Sequence, residues 1–375
     1  MIAEPITESK TAQTRGLEDN TTRELTLIWQ RLLGIGSIGL DQNYFDLGGD
    51  SILAVQLFAA IEQVFNVKLP VAALFEAPTI EELARILRRK TPIANWSPLV
   101  AIQPAGSRPP FFCMHGAGGN VLIYRDLSQN LGSDQPFYGL QSQGLDGSCP
   151  PLTTVEDMAA LYVREIRRVR PHGPYCLGGY CGGGTIAYEV AQQLRREGEQ
   201  VALLALFDTM DWSKFPLPSA WAKSYYNCQK FAFHIGNFLC LDSKGKSKFF
   251  SEKLQILRSR IPVWRGMLLA GLSRRSNTGK SHSWVLGEIW RNNDRACSNY
   301  VPKPYPGVVT DFRPLKQYRM FNDPDARWDR LALAGQSIVT LPVYPAGMLV
   351  EPFVRHLAVA LRKSLDTAMS SCQAS

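Results

Sequence analysis

The run Pro174-Tyr175-Cys176-Leu177-Gly178-Gly179-Tyr180 passes directly into Cys181-Gly182-Gly183-Gly184, and then into Ile186, Ala187, Val190, Ala191 and Leu194 at helical spacing. An apolar strand that turns through glycines into a helix holds one side chain above the sheet edge at the helix N-terminus. Gly179-x-Cys181-x-Gly183 is the G-x-S-x-G pattern in the strand–turn–helix context that pattern requires, with cysteine at the nucleophile position. The flanking positions of so tight a turn leave no room for side chains, hence glycine. Cys181 is therefore the candidate nucleophile. The alternative is a glycine-rich turn that merely buries a cysteine.

The surrounding sequence fits this reading. Phe111–Gly116 (FFCMHG) is a short apolar strand followed by glycines, and Val201–Asp208 (VALLALFD) is another continuous apolar run. Runs without alternation suit strands covered on both faces, hence a parallel sheet with helices on each side, an α/β fold. Gly307–Phe312 and Ser337–Tyr344 supply later strands, and Pro352–Leu365 a final helix.

The N-terminal quarter is different. Residues 1–20 are polar and are expected to be disordered, since they have little to bury. Residues 21–90 show helical patterns and no strand pattern: Leu25, Ile28, Trp29, Leu32 and Leu33, then Ile52, Val55, Leu57, Phe58 and Ile61. A further helix opens at Pro78-Thr79-Ile80, with Thr79 as N-cap. This is a small helix bundle. Residues 91–110, with five prolines, form a linker that turns into an edge strand. Residues 111–370 form the α/β domain.

Composition narrows the class. With 375 residues, 45% hydrophobic and 20% charged, the chain is long enough for about two or three globular domains. No apolar window approaches the ~18 residues of a membrane-spanning helix, and the opening MIAEPITESKTAQT, with no apolar core behind a basic head, is not expected to act as a secretory leader. Eight cysteines without CxxC or metal-ligand spacing read as reduced thiols in a cytoplasmic protein, with no metal site expected. The net charge is +8, but residues 209–300 alone carry 15 Lys/Arg against 5 Asp/Glu, which leaves the remainder slightly acidic. Without a nucleic-acid motif, the basic segment does not point to nucleic acid.

A second chemical signal is Asp41–Leu57 (DQNYFDLGGDSILAVQL). Ser51 follows two glycines and opens a helix, whose free N–H groups and dipole favour an anionic group there. Read alone, Ser51 could be an ordinary helix-start serine. The stretch from about residue 20 to 90, including APTIEELA, resembles the carrier proteins of nonribosomal peptide and polyketide synthases, with LGGDS closer to peptidyl carriers. The resemblance implies 4′-phosphopantetheine attached covalently to Ser51. Asp50 and Leu53 would flank the docking point of a phosphopantetheinyl transferase and of upstream synthetase proteins.

Residues 98–365 resemble the type I thioesterase domains of such synthetases, members of the α/β-hydrolase fold. The motifs are PPFFCMHGAGG, LSQNLGSDQPFYGLQSQGLDG, GPYCLGGYCGGG, LALFDT and YPGVVTDFR. The resemblance implies an acyl thioester substrate, Asp208 as the acid, and the backbone N–H groups of Ala117 and Gly182 as an oxyanion hole. It also implies a helical lid over residues 210–300, with aromatic faces at Trp212, Trp221, Tyr225, Phe231, Trp264 and Trp284. The basic side of that lid would be either a solvated surface or a site for the acidic carrier or an acidic substrate. The family mostly carries serine where this chain has Cys181. Its histidine position falls on Pro345. His356 lies on the final helix as a displaced base or a surface residue, His115 reads as a structural loop residue rather than a base, and His172 and His234 have no motif support. The third triad member is unassigned.

A helix N-terminus is expected to lower the thiol pKa of Cys181 and so supply thiolate. Without a histidine, attack by water suffers more than attack by an amine or thiol. The sequence thus leans toward transfer or cyclisation over plain hydrolysis. Two readings stay open: a release thioesterase or acyltransferase with its own carrier, and a degenerate didomain that holds or presents an acyl chain. No adenylation or condensation pattern is present, so the chain is expected to be loaded by other proteins.

Overall fold

The computed structural model describes residues 7–49, 51–89, 96–211, 228, 282–315, 328–343 and 347–374. They fall into two compact units, one formed by the described residues up to Trp96 together with His282 and Ser283, the other by the remaining described residues from Ser97 on.

The first unit is helical: α1 Thr7–Leu33, α2 Ser51–Phe65, α3 Ala73–Glu76 and α4 Ile80–Arg88. Leu25, Ile28, Trp29 and Leu33 of α1 are buried, as are Leu57, Phe58 and Ile61 of α2 and Leu83 and Leu87 of α4. Trp29 meets Tyr44 edge-on with ring centroids 5.2 Å apart. Thr79 caps α4 as expected: its hydroxyl oxygen accepts from the Glu82 N–H at 3.2 Å. The segment expected to be disordered is corrected from Thr7 onward, where α1 already begins. Once Leu25–Leu33 is packed, extending the helix toward the N-terminus adds one hydrogen bond per residue without a new nucleus.

The second unit is a seven-stranded sheet in the order β1-β3-β2-β4-β5-β6-β7. The strands are β1 Leu99–Gln103, β2 Phe111–Met114, β3 Phe137–Leu140, β4 Tyr175–Tyr180, β5 Val201–Phe207, β6 Val309–Pro314 and β7 Gln336–Leu341. Among the described residues only β1 is antiparallel to its neighbour; β2 to β7 run parallel. β1 is the edge strand into which the proline-rich stretch turns. The α-helices of this part among the described residues are α5 Arg125–Leu131, α6 Val155–Val169, α7 Gly182–Arg196, α8 His282–Asn299 and α9 Val354–Ala374.

Side chains alternate across a strand, so β2 and β4 feed two cores. Phe112, Met114 and Leu177 join α6 and α7 in one cluster. On the other face Cys176 reaches Met369 of α9, and α9 packs against α5, β5 and β7. The continuous apolar runs therefore mark strands covered on both faces, as expected. Strand β3 and helix α6 go unmarked in the reading above, and both are integral to the sheet. Of the expected lid, Met210, Asp211, Cys228 and helix α8 with the following Tyr300 lie within the described residues. Trp212, Trp221, Tyr225, Phe231 and Trp264 fall outside them, and nothing is described of the Trp284 side chain.

Candidate active site

The parallel strands β2, β4 and β5 end together, and their C-terminal turns carry the candidate residues. Cys181 sits between β4 and α7 with φ 55° and ψ −122°. For a residue with a Cβ this is a sparsely populated conformation, costing on the order of 1–3 kcal/mol. Backbone bonds hold it there: the Cys181 N–H donates to the Phe207 carbonyl at 3.0 Å and the Gly184 N–H donates to the Cys181 carbonyl at 3.1 Å. The Thr209 hydroxyl donates to that same carbonyl at 3.1 Å.

The glycines are required sterically. A Cβ on Gly179 would lie 2.2 Å from the backbone of Gly183, and one on Gly183 would lie 2.3 Å from the Met114 carbonyl oxygen. These neighbours are backbone and cannot swing away. Overpacking costs about 1–3 kcal/mol and occasionally more, so Gly179→Ala is expected to reach or exceed that upper end. Thermal unfolding measures this; a wild-type midpoint in Gly179→Ala would show that the turn has slack.

Asp208 follows β5 with φ 44°, and its N–H donates to the Phe312 carbonyl at 2.9 Å. Its charge acts on Cys181. Burial, Asp208 and, more weakly, Asp294 push the Cys181 thiol up to about 12, against a smaller lowering by the Gly182 N–H. The expected lowering by the helix start is thus corrected. One favourable backbone contact does not offset desolvation of the thiolate beside a carboxylate.

Ala117 lies in the turn after β2. There the Gly119 N–H donates to the Gly116 carbonyl at 3.0 Å and the Ser142 N–H donates to the Gly119 carbonyl at 2.8 Å. The Ala117 nitrogen is 4.0 Å from where a Cβ on Gly182 would stand, so the two candidate donors are adjacent. Tyr124 braces this edge: its hydroxyl donates to the Met114 carbonyl at 2.6 Å and accepts from the Tyr180 N–H at 3.1 Å. Sequence reasoning missed Tyr124, because no motif marks it.

The described histidine side chains divide plainly. His115 is buried, with Nδ1 2.7 Å from the Gly116 carbonyl oxygen and its ring edge-on to Tyr162. Burial pushes it down to about 4, so it is neutral at pH 7. His172 precedes β4, at the end of that strand remote from Cys181, beside Glu199. His356 is exposed on the opening turn of α9. Pro345 and His234 lie outside the described residues. Ser51 is the first residue of α2, after Gly48 at φ +88°. A Cβ on Gly49 would lie 2.3 Å from the Tyr44 ring. Among the described residues no group of His, Cys, Asp or Glu side chains could hold a metal ion, and no helix is long and apolar enough to cross a membrane.

Residues 109–214 match the thioesterase domain family and residues 23–87 the phosphopantetheine attachment site family. The chain is thus a phosphopantetheine carrier region joined to a thioesterase domain of the α/β-hydrolase fold. The carrier family binds 4′-phosphopantetheine covalently. The chain is similar to the dimodular nonribosomal peptide synthase of Bacillus subtilis, 34% identical over 287 residues, 76% of this chain and 12% of that protein. Malpinin synthetase of Mortierella alpina is 45% identical over 184 residues, 48% of this chain and 2% of that protein. The chain therefore spans only a small part of these relatives' length. Among solved structures, a four-domain nonribosomal peptide synthetase bound to AMP and glycine aligns at TM-score 0.57 and 24% identity. The alignment covers 92% of this chain and 26% of that one, a likeness of fold.

Proposed function

We propose that this chain receives an acyl or peptidyl group as a thioester on its carrier region and passes it to Cys181, from which an acceptor releases it. The observation that carries this is the strained Cys181 turn, beside Asp208 and the Gly182 N–H, with the Ala117 nitrogen 4.0 Å from where a Cβ on Gly182 would stand. Carrier and thioesterase regions in one chain support the same reading.

The hydroxyl of Ser51, at the head of α2, is the attachment point. A phosphodiester fits there, because the positive end of the helix dipole favours an anion. When bound, 4′-phosphopantetheine supplies the thiol that holds the acyl group. A phosphopantetheinyl transferase would install it and upstream synthetase proteins would load it, in a nonribosomal peptide or polyketide pathway.

Cys181 loses its proton and Sγ attacks the thioester carbonyl carbon, forming a C–S bond. The carbonyl oxygen takes up the electron pair and faces the two backbone N–H donors. The electron pair then returns, the original C–S bond breaks, and the departing thiolate takes up a proton. One thioester has replaced another. Release repeats the sequence with water, a hydroxyl, an amine or a thiol as the attacking group, and Cys181 ends as the thiol. Asp208 orients or assists the group that moves the proton, and that third member stays open.

The alternative, a didomain that holds or presents the chain, draws on the thiol pushed to about 12, which disfavours the thiolate. Intact-mass measurement of the holo chain after an acyl donor separates the two. We expect acyl-Cys181 to form, to hydrolyse slowly, and to discharge faster with an amine or thiol acceptor. General-base help is worth about 10²–10⁴-fold, so its shortfall would be visible. Fast hydrolysis in water alone, abolished by His356→Ala, would show a displaced base in an ordinary hydrolytic thioesterase. No acyl-Cys181 at all would favour the holding role.

A further inference from the structure

Helix α8 lays one face along both halves of the candidate oxyanion hole. Ile289, Asn293 and Cys297 are spaced four apart and so share a face, and all three are buried. Ile289 Cγ2 lies 2.7 Å from where a Cβ on Gly119 would stand. One turn on, Asn293 Nδ2 donates to the Ala117 carbonyl at 3.1 Å, while its Oδ1 accepts from the Ser142 hydroxyl at 3.5 Å. A turn further, Cys297 Sγ donates to the Gly182 carbonyl at 3.6 Å. The helix is itself tied down: the Tyr300 hydroxyl donates to Glu189 of α7 at 2.7 Å, and Asn292 donates to the Leu152 carbonyl at 2.5 Å.

We propose that α8 sets the oxyanion hole, with Asn293 and Cys297 as positioning residues for Ala117 and Gly182. This rests on the reading of those two N–H groups as the donors. The reason is mechanical. Ala117 lies between Gly116 and Gly118-Gly119, and Gly182 begins a run of three glycines. Glycine leaves the backbone more conformational freedom than any other residue, so neighbouring sequence does little to aim these peptide groups. A side chain gripping each carbonyl limits how far its residue can turn. Donor placement matters steeply, because stabilisation acts only on an oxygen at hydrogen-bond distance as charge develops.

Two reactions of Cys181 separate this role from general support. Acylation by an acyl-pantetheine thioester develops an oxyanion; alkylation by iodoacetamide, a displacement at carbon, does not. Losing an oxyanion donor costs about 10²–10³-fold, so mis-aiming one is expected to slow acylation about tenfold in Asn293→Ala. Alkylation at Cys181 should be unchanged, and the loss should fall on kcat rather than KM. Asn293→Asp, which cannot donate, should be at least as slow. Cys297→Ala should show a smaller loss, and Cys297→Ser, whose hydroxyl still donates, should recover most of it. Equal slowing of acylation and alkylation, or no slowing of either, in both Asn293→Ala and Cys297→Ala would overturn the proposal. A wild-type chain that is alkylated but never acylated at Cys181 would overturn the nucleophile reading itself, and this inference with it.

Discussion

Cys181→Ala is expected to abolish acyl transfer to the thioesterase domain, and Cys181→Ser to lose about 10²–10⁴-fold, the worth of a general base. The serine variant is the more informative. Its hydroxyl is a far weaker acid than a thiol, so a serine there works only where a base is in place. Near-wild-type transfer by Cys181→Ser would mean that a positioned base exists.

The same site fixes a pH dependence. A thiol of ordinary acidity, near 8.5, stops gaining thiolate above that pH. With Cys181 at about 12, its alkylation should keep rising about tenfold per pH unit through the neutral and mildly alkaline range. The Asp208 carboxylate raises that value by disfavouring a second negative charge beside it. Removing the charge lowers the pKa, so Asp208→Asn should speed alkylation at neutral pH while slowing acyl transfer. A wild-type profile that levels off near pH 8.5, or an Asp208→Asn chain alkylated more slowly, would contradict the electrostatics described.

Ser51→Ala is expected to take up no phosphopantetheine when co-expressed with a permissive transferase, whereas the wild type gains one phosphopantetheine mass. The position of Ser51 is held from both sides. Gly49 fits under Tyr44 only without a side chain, and Leu57, Phe58 and Ile61 bury one face of α2, so the helix start cannot slide. A modified Ser51→Ala chain, or an unmodified wild type, would remove Ser51 as the attachment point. Peptide mapping gives the answer directly.

Much of the architecture is local and therefore readable along the chain. The elbow is legible because its steric demand falls on Gly179 and Gly183, two residues either side of Cys181. Strands β2, β4 and β5 are legible as apolar runs, and α4 by its Thr79 cap. Strand β3 is not, because four residues of Phe137–Leu140 are too few for a period to show, whereas Val155, Met158, Ala159, Tyr162, Val163 and Ile166 of α6 do recur at helical spacing on its buried face. The start of α1 is not legible either, because polar composition says little about a helix that extends from a packed segment.

The sequence by itself points to two units, to Cys181 as the proposed nucleophile and to Ser51 as the proposed attachment serine, since each reading follows from residue type over a span of a few positions. The tertiary structure alone decided what surrounds them. Asn293 is 176 residues from the Ala117 carbonyl it holds, and Cys297 is 115 from that of Gly182. Neither pairing leaves a local pattern. The ionisation of Cys181 was decided in the same way. The helix start is a neighbour along the chain and favours the thiolate. Burial, and the Asp208 carboxylate that the pairing of β4 with β5 brings close, both oppose it and prevail. Desolvation and charge act through space, so their balance is not written in any stretch of sequence.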